Sequence, residues 1–208
     1  MIDSGTALMF FTTSILLALT PGPDNLFVMT QAAQNGRKAG LLVTLGLCTG
    51  ILVHTTAVTL GLAALFKASA SAFGALKFAG AGYLLYLAWL SFRAGTASGA
   101  AAAVDRLSSA ALYRRGIIMN VTNPKVSVFF LAFLPQFADP ARGNLSLQFM
   151  LLGGLFIVST IIVFGAISYL AGVFGDRFRQ SAFAQRLLNR AAAGVFAGLA
   201  IKLALAQR

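Results

Sequence analysis

Thr20-Pro21-Gly22-Pro23-Asp24-Asn25 interrupts an otherwise apolar run over residues 5–33, and the reading of that interruption decides the fold. Each proline lacks a backbone N–H and clashes with the carbonyl four residues earlier, and the glycine between them adds conformational freedom. In a soluble protein such a stretch would be a surface turn. This chain is 58% hydrophobic and 10% charged, with a mean hydropathy of +0.83. An average soluble domain is about 45–50% apolar and about 25% charged. Its 16 Lys+Arg against 5 Asp, with no Glu, give a net charge of +11. A basic nucleic-acid binder would carry that charge on a polar body. A soluble enzyme, a secreted disulfide scaffold and a disordered tail are excluded as well, and Cys48 has no intrachain partner. The interruption therefore falls inside a membrane helix.

A membrane helix needs about 20 apolar residues to cross about 30 Å of hydrocarbon. Six runs qualify: residues 5–33, 39–66, 69–92 with Lys77, 116–137 with Lys125, 144–175, and 187–206 with Lys202 near its end. The sequence predicts one all-α, polytopic membrane domain over residues 1–208, with six transmembrane helices and short loops. Met1-Ile2-Asp3-Ser4 lacks the positive start of a signal peptide, and the following run meets the proline break instead of a cleavage site, so no cleaved leader is expected. Ten of the sixteen cations fall in the loops after spans 1, 3 and 5: Arg37, Lys38, Arg93, Arg106, Arg114, Arg115, Arg177, Arg179, Arg186 and Arg190. Lys67, Arg142 and Arg208 fall on the other side. The positive-inside rule then places the odd loops in the cytoplasm and both termini outside.

Spans 1–3 and 4–6 read as two copies of one unit, repeat one over residues 1–95 and repeat two over 114–208, joined by a cytoplasmic linker at 96–113. Each copy opens with a proline break in polar company, at 20–25 and at Thr122-Asn123-Pro124-Lys125. Each ends in a small-residue helix, Gly80-Ala81-Gly82-Tyr83 against Ala192-Ala193-Gly194-Val195. A three-helix unit has odd parity, so the second copy is inverted. Inverted repeats with broken helices are a secondary-transporter architecture, with cargo held near the midplane where the breaks meet. The Gly46/Gly50 and Gly194/Gly198 pairs are expected to serve close helix packing.

Pro23 and Pro124 suit the first position of a new half-helix, with Asn123 as the N-cap of the second. Two positive helix ends approaching one region suit an anion such as a carboxylate. A charge follows each break, Asp24 and Lys125, and charges inside a membrane either pair or serve a pathway. One reading is an Asp24–Lys125 ion pair that locks the halves together. The other gives Asp24 an ammonium group or a proton, and Lys125 a carboxylate. The candidate binding and coupling residues are Pro21, Gly22, Pro23, Asp24, Asn25, Asn120, Asn123, Pro124 and Lys125, with Gln136 in the same region. His54 is a candidate proton relay, its plain alternative being a hydrogen bond to a neighbouring carbonyl. Lys77 and Lys202 are expected to reach outward to the interface. Tyr83, Tyr86 and Trp89 either line a path or form an interfacial belt. Metal-ligand spacing, a Walker loop and a nucleotide fingerprint are all missing, so no metal, cofactor or enzymatic chemistry is expected, and transport would draw on an ion gradient or the cargo's own. An exporter of a small inorganic or organic cation is the alternative, but it would want more intramembrane carboxylates than Asp24.

Pro21-Gly22-Pro23-Asp24-Asn25, then Asn35-Gly36-Arg37-Lys38-Ala39-Gly40-Leu41 with Gly46 and Gly50, resembles the N-terminal signature of the LysE/RhtB family of amino-acid exporters. Asn120-Val121-Thr122-Asn123-Pro124-Lys125-Val126-Ser127 and its continuation to Phe137 resembles the family's second signature. The resemblance covers nearly the whole chain. It implies efflux of neutral or basic amino acids, or related metabolites, from the bacterial cytoplasm, driven by the proton gradient. It places the substrate and coupling region on the two proline breaks, His54 being added from the residue reading alone. The implied partners are an amino acid, protons and membrane lipid, with no nucleic acid. A homo-oligomer is left open.

Overall fold

The structure, a computed structural model, describes residues 2–68, 70–94 and 107–205. Arg106, Arg208 and residues 96–106 of the expected linker lie outside the described residues. All the regular structure among the described residues is helical. In chain order the α-helices are α1 (Ser4–Leu19), α2 (Pro23–Asn35), α3 (Arg37–Ala68), α4 (Ala70–Arg93), α5 (Ser109–Val121), α6 (Pro124–Val128), α7 (Leu145–Gln180) and α8 (Ala182–Leu205). A π-turn over Phe129–Phe133 and a 3₁₀ turn over Leu134–Phe137 continue α6.

Segments of α3, α4, α7 and α8 are long and apolar enough to cross a membrane. The α1/α2 pair is bent by 64° and the segment from Ser109 to Phe137 by 49°, so counting each bent pair as one span brings the total to six. The expected first span at 5–33 is therefore two helices. The break is sharp because Gly22 is fully extended, Pro23 opens α2, and neither proline can donate back to α1.

Glycines set the helix contacts. A Cβ added at Gly46 would strike the Tyr113 carbonyl, and one at Gly50 would come within 2.6 Å of Asn120 Cβ, so α3 and α5 run side by side in the same direction. Gly40 meets Ser168 while Gly153 meets Thr55, which makes α3 and α7 antiparallel. Gly80 packs on Leu203, and Asn189 Nδ2 donates to Ala94 O at 3.3 Å, which makes α4 and α8 antiparallel. The packing role expected for Gly46 and Gly50 is thus seen. Gly194 and Gly198 differ: both are exposed with no neighbour within 4 Å, because α8 turns its buried Ala192, Phe196 and Ala200 inward instead.

The core centres on phenylalanines. Phe129 of the π-turn lies 5.8 Å from Phe10 of α1 and 5.2 Å from Phe156 of α7, while Phe137 stacks edge-on against Phe10 at 5.1 Å. These rings are buried, and inside a membrane it is their close packing on one another, not removal from water, that favours this arrangement. They clamp the segment after the second break between α1 and α7.

The expected cationic loops are largely helix ends. Ser108 caps α5 by accepting from Ala111 N–H at 3.2 Å, so the helix starts at Ser109, not near residue 116, and takes in Arg114 and Arg115. Arg177 and Arg179 likewise fall in α7, and Arg186 and Arg190 in α8. The apolar-run criterion misses such polar helix extensions. Arg37 lies over the Tyr169 ring, Arg93 over Trp89 and Arg115 over Phe27, each at 4.8–4.9 Å from the ring centre. At the opposite end Arg142 pairs with Asp3 at 2.6 Å, bringing the N-terminus beside the segment that precedes α7.

Candidate functional site

The breaks meet in the interior. Asp24, at the second position of α2, and Asn123, the N-cap of α6, are each 3% exposed, and Asn123 Nδ2 donates to Asp24 Oδ2 at 2.7 Å. The other end of the same amide, Asn123 Oδ1, accepts from Lys125 N–H at 3.0 Å. One side chain thus caps its own half-helix and holds the carboxylate of the other break.

Lys125 is buried and points back across the bundle. Its Nζ donates to Thr20 O at 3.2 Å and to Leu17 O at 3.4 Å, while Asn25 Nδ2 donates to Ala18 O at 2.7 Å. The last carbonyls of a helix have no partner within it, and in hydrocarbon none comes from water. Lys125 and Asn25 satisfy those that the break in α1 exposes. Asp24 and Lys125 make no direct ion pair; Asn123 and the α1 carbonyls take their hydrogen bonds instead.

Three buried oxygens at the breaks have no donor: Asp24 Oδ1, Asn25 Oδ1 and Asn120 Oδ1. Such groups are uncommon in proteins and costly without a ligand or water.

Pro21, Gly22, Pro23, Asn123, Pro124 and Lys125 together form one end of a cavity of about 680 Å³. Leu26 and Met29 of α2, Leu87 and Leu90 of α4, and Leu188 and Phe196 of α8 form apolar walls. Toward the end marked by Ala94 the lining includes Ser91, Gln185 and Asn189. Among the described residues Lys125 is the one charged side chain on this lining, and none is a carboxylate. An ammonium has three donors, and two here go to carbonyls, which leaves one for the cavity. Gly22 leaves room for that ammonium, since a Cβ there would stand 3.2 Å from Lys125 Nζ.

The remaining candidates divide. His54 Nε2 lies 3.1 Å from Asn120 O, a carbonyl to which it can only donate, so it braces the end of α5, and His54 is not on the cavity lining. Gln136 turns back to its own helix, donating to Ala132 O at 3.4 Å. Tyr83 lines the cavity, whereas Tyr86 and Trp89 are exposed on the outer face of α4. Lys77 Nζ sits over Phe78 and Lys202 Nζ over Phe137, both at 4.6 Å. Among the described residues no group of three His, Cys, Asp or Glu could hold a metal ion.

Gln185 escapes sequence reading because it stands in what reads as a basic loop, Asn189 because it sits beside Arg190 at the very start of the last apolar run, and Thr160, buried on α7 beside the breaks, because it looks like any hydroxyl in an apolar helix. Only the tertiary fold brings them to the site.

Residues 15–207 match the family described as LysE type translocator. The chain belongs to the LysE-type translocator family. The members of this family are transporters, not enzymes. The translocator is 36% identical over 162 residues to a homoserine/homoserine lactone efflux protein of Salmonella typhimurium, covering 78% of each chain. It is 31% identical over 144 residues to a leucine efflux protein of Salmonella choleraesuis, covering 69% of this chain and 68% of that one. A membrane protein of Vibrio cholerae is 32% identical over 200 residues, 96% of this chain and 97% of its own. No solved structure matches the translocator.

Proposed function

We propose that this translocator is a proton-coupled exporter of amino acids in the bacterial cytoplasmic membrane. The carrying observation is the cavity that ends on both proline breaks with the Lys125 ammonium on its wall. The cargo carboxylate docks on the remaining Lys125 donor, and its ammonium on Asp24 once Asn123 swings aside. A proton on Asp24 resets the cycle. Neutral amino acids fit this lining better than basic ones, because the apolar wall offers a second ammonium or guanidinium no carboxylate. The names of the homoserine and leucine efflux relatives accord with that.

In this reading the chain is one domain of six spans, with repeat one at residues 1–95 and repeat two at 114–208, and each bent pair crosses once. The antiparallel α3/α7 and α4/α8 pairs support inverted copies, since corresponding helices of inverted repeats must run in opposite directions. The cation-rich helix ends face the cytoplasm, both termini lie outside, and the cavity extends toward the cytoplasmic side.

The test is efflux of a panel of labelled amino acids from loaded cells. Asp24→Asn should lose acceleration by a pH gradient, and wild-type gradient-driven rates in that variant would end the coupling role. Export of an inorganic or organic cation is the second reading, and the positive charge on the cavity wall argues against it.

A further inference from the structure

Behind Asp24, on the face turned toward α7, lies a second cavity of about 10 Å³, the room of a single water-sized sphere. Asp24, Asn120, Lys125 and Thr160 are its polar lining, and Leu17, Ala18, Val126, Phe156 and Phe164 close it with apolar walls. Asp24 is 3% exposed, Asn120 2% and Thr160 2%, so bulk water does not serve them. Asp24 Oδ1 and Asn120 Oδ1 are both without a donor. Two stranded acceptors in a space for one small molecule call for an occupant with two donors.

Three occupants have the size: water, a monovalent metal cation and the ammonium head of the cargo. A metal cation would stand beside the Lys125 ammonium, which already balances the Asp24 carboxylate, and would add an uncompensated charge inside the membrane. Among the described residues the charged groups facing Asp24 come to Lys125 alone: His54 of α3 reaches only the main-chain oxygen of Asn120, and no described side chain of α1 or α7 on this cavity is ionisable. The cargo, coming from the large cavity, would reach Asp24 at Oδ2, where Asn123 now donates, and Asn120 and Thr160 do not appear on that cavity's lining. Water meets every requirement. It donates one hydrogen to Asp24 Oδ1 and one to Asn120 Oδ1, and it accepts from the Thr160 hydroxyl.

We propose that this pocket is a dedicated site for one structural water, held by Asp24, Asn120 and the positioning residue Thr160, on the opposite side of Asp24 from the cargo cavity. The site rests on the reading of Asp24 as the coupling carboxylate only for its role, not for its existence. It keeps a hydrogen-bond partner on Asp24 Oδ1 whether or not cargo is bound. Gly50 belongs to the same device, since a Cβ there would fall 2.7 Å from Asn120 Oδ1 and push that amide out of place.

A crystal structure of the full chain near 2 Å resolution, with and without a neutral amino acid and with thallium as the monovalent-cation probe, tests the site. A lone peak within hydrogen-bond distance of Asp24 Oδ1 and Asn120 Oδ1 in all three, with no thallium anomalous signal, is expected. An empty pocket, a thallium peak, or a peak present only with cargo overturns it. Thr160→Val, close to isosteric, should remove the peak and Thr160→Ser should keep it. In liposomes Thr160→Val should slow gradient-driven transport about tenfold, the effect of one lost hydrogen bond, while exchange at equal pH keeps its rate. Equal loss of both rates would make Thr160 merely structural. Absence of amino-acid transport by the wild type would end the functional proposal and leave the crystallographic result standing.

Discussion

At the first break the carbonyls of Leu17 and Thr20 are met by the Lys125 ammonium from the other half of the chain, and that of Ala18 by Asn25. At the second break the chain largely closes on itself. Thr122 N–H donates to Ile118 O at 2.9 Å, Asn123 N–H to Asn120 O at 3.0 Å, and the Asn123 side chain caps Lys125, with His54 at the Asn120 carbonyl and Asp24 at the Asn123 amide as contacts from outside. The first break carries two prolines and a glycine and bends by 64°; the second carries one proline and bends by 49°. More disruption leaves more carbonyls to satisfy, and the surplus is covered by a side chain from the other break. The second break is a finished local structure, while the first is complete only in the second's presence.

That dependence can be broken most directly at Lys125. Lys125→Met removes the donor to two α1 carbonyls and the positive partner of Asp24. It should abolish efflux and destabilise the protein by about 3 kcal/mol, read by thermal unfolding in detergent alongside transport. Wild-type stability in that variant would show that the first break stands alone. Gly50→Ala attacks the second break from α3. The added methyl collides with Asn120, so α3 and α5 must part, at a cost of about 1–3 kcal/mol in the same measurement. His54→Leu removes only the brace on the Asn120 carbonyl. Asn120 O keeps its Asn123 donor, so a loss of about 1 kcal/mol and at most a few-fold in efflux is expected. A collapse of transport with unchanged stability would instead restore His54 as a relay.

The smallest effect belongs far from both breaks. Arg142→Ala deletes a half-exposed pair with Asp3 and should leave melting and efflux unchanged at neutral pH. Hydrogen bonds from Thr6, helped by Arg142, hold the Asp3 carboxyl below its ordinary range. A depressed carboxylate contributes stability above its unfolded value that is lost as pH falls through its folded one. Whatever small difference the pair makes between wild type and variant is therefore fully present above pH about 4 and fades in stronger acid, where Asp3 is protonated.

Local chemistry was readable in the residues themselves. Two helix starts at Pro23 and Pro124, the N-cap at Asn123 and the proximity of Asp24 to the second break follow from proline geometry and from hydrogen-bonding capacity. What needed coordinates was direction. Nothing in a sequence says that Lys125 reaches back over α1 carbonyls instead of toward Asp24, since both are oxygen acceptors at similar depth. The π-turn over Phe129–Phe133 was equally silent, because its residues are ordinary helix fillers and only packing against Phe10 and Phe156 reveals it. Helix ends rich in arginine passed for loops for the reason that hydropathy measures lipid preference, not backbone shape.

The Lys125 reach bears on how such a chain could have arisen. A fragment ending anywhere between Ala94 and Leu107 would carry the first break without its lysine, leaving the Thr20 carbonyl without a donor and that of Leu17 with only the Thr20 N–H. Separate halves of this sequence would need to find one another before either was complete. An ancestor made of two identical halves could have met the same need only by lending a side chain to its twin.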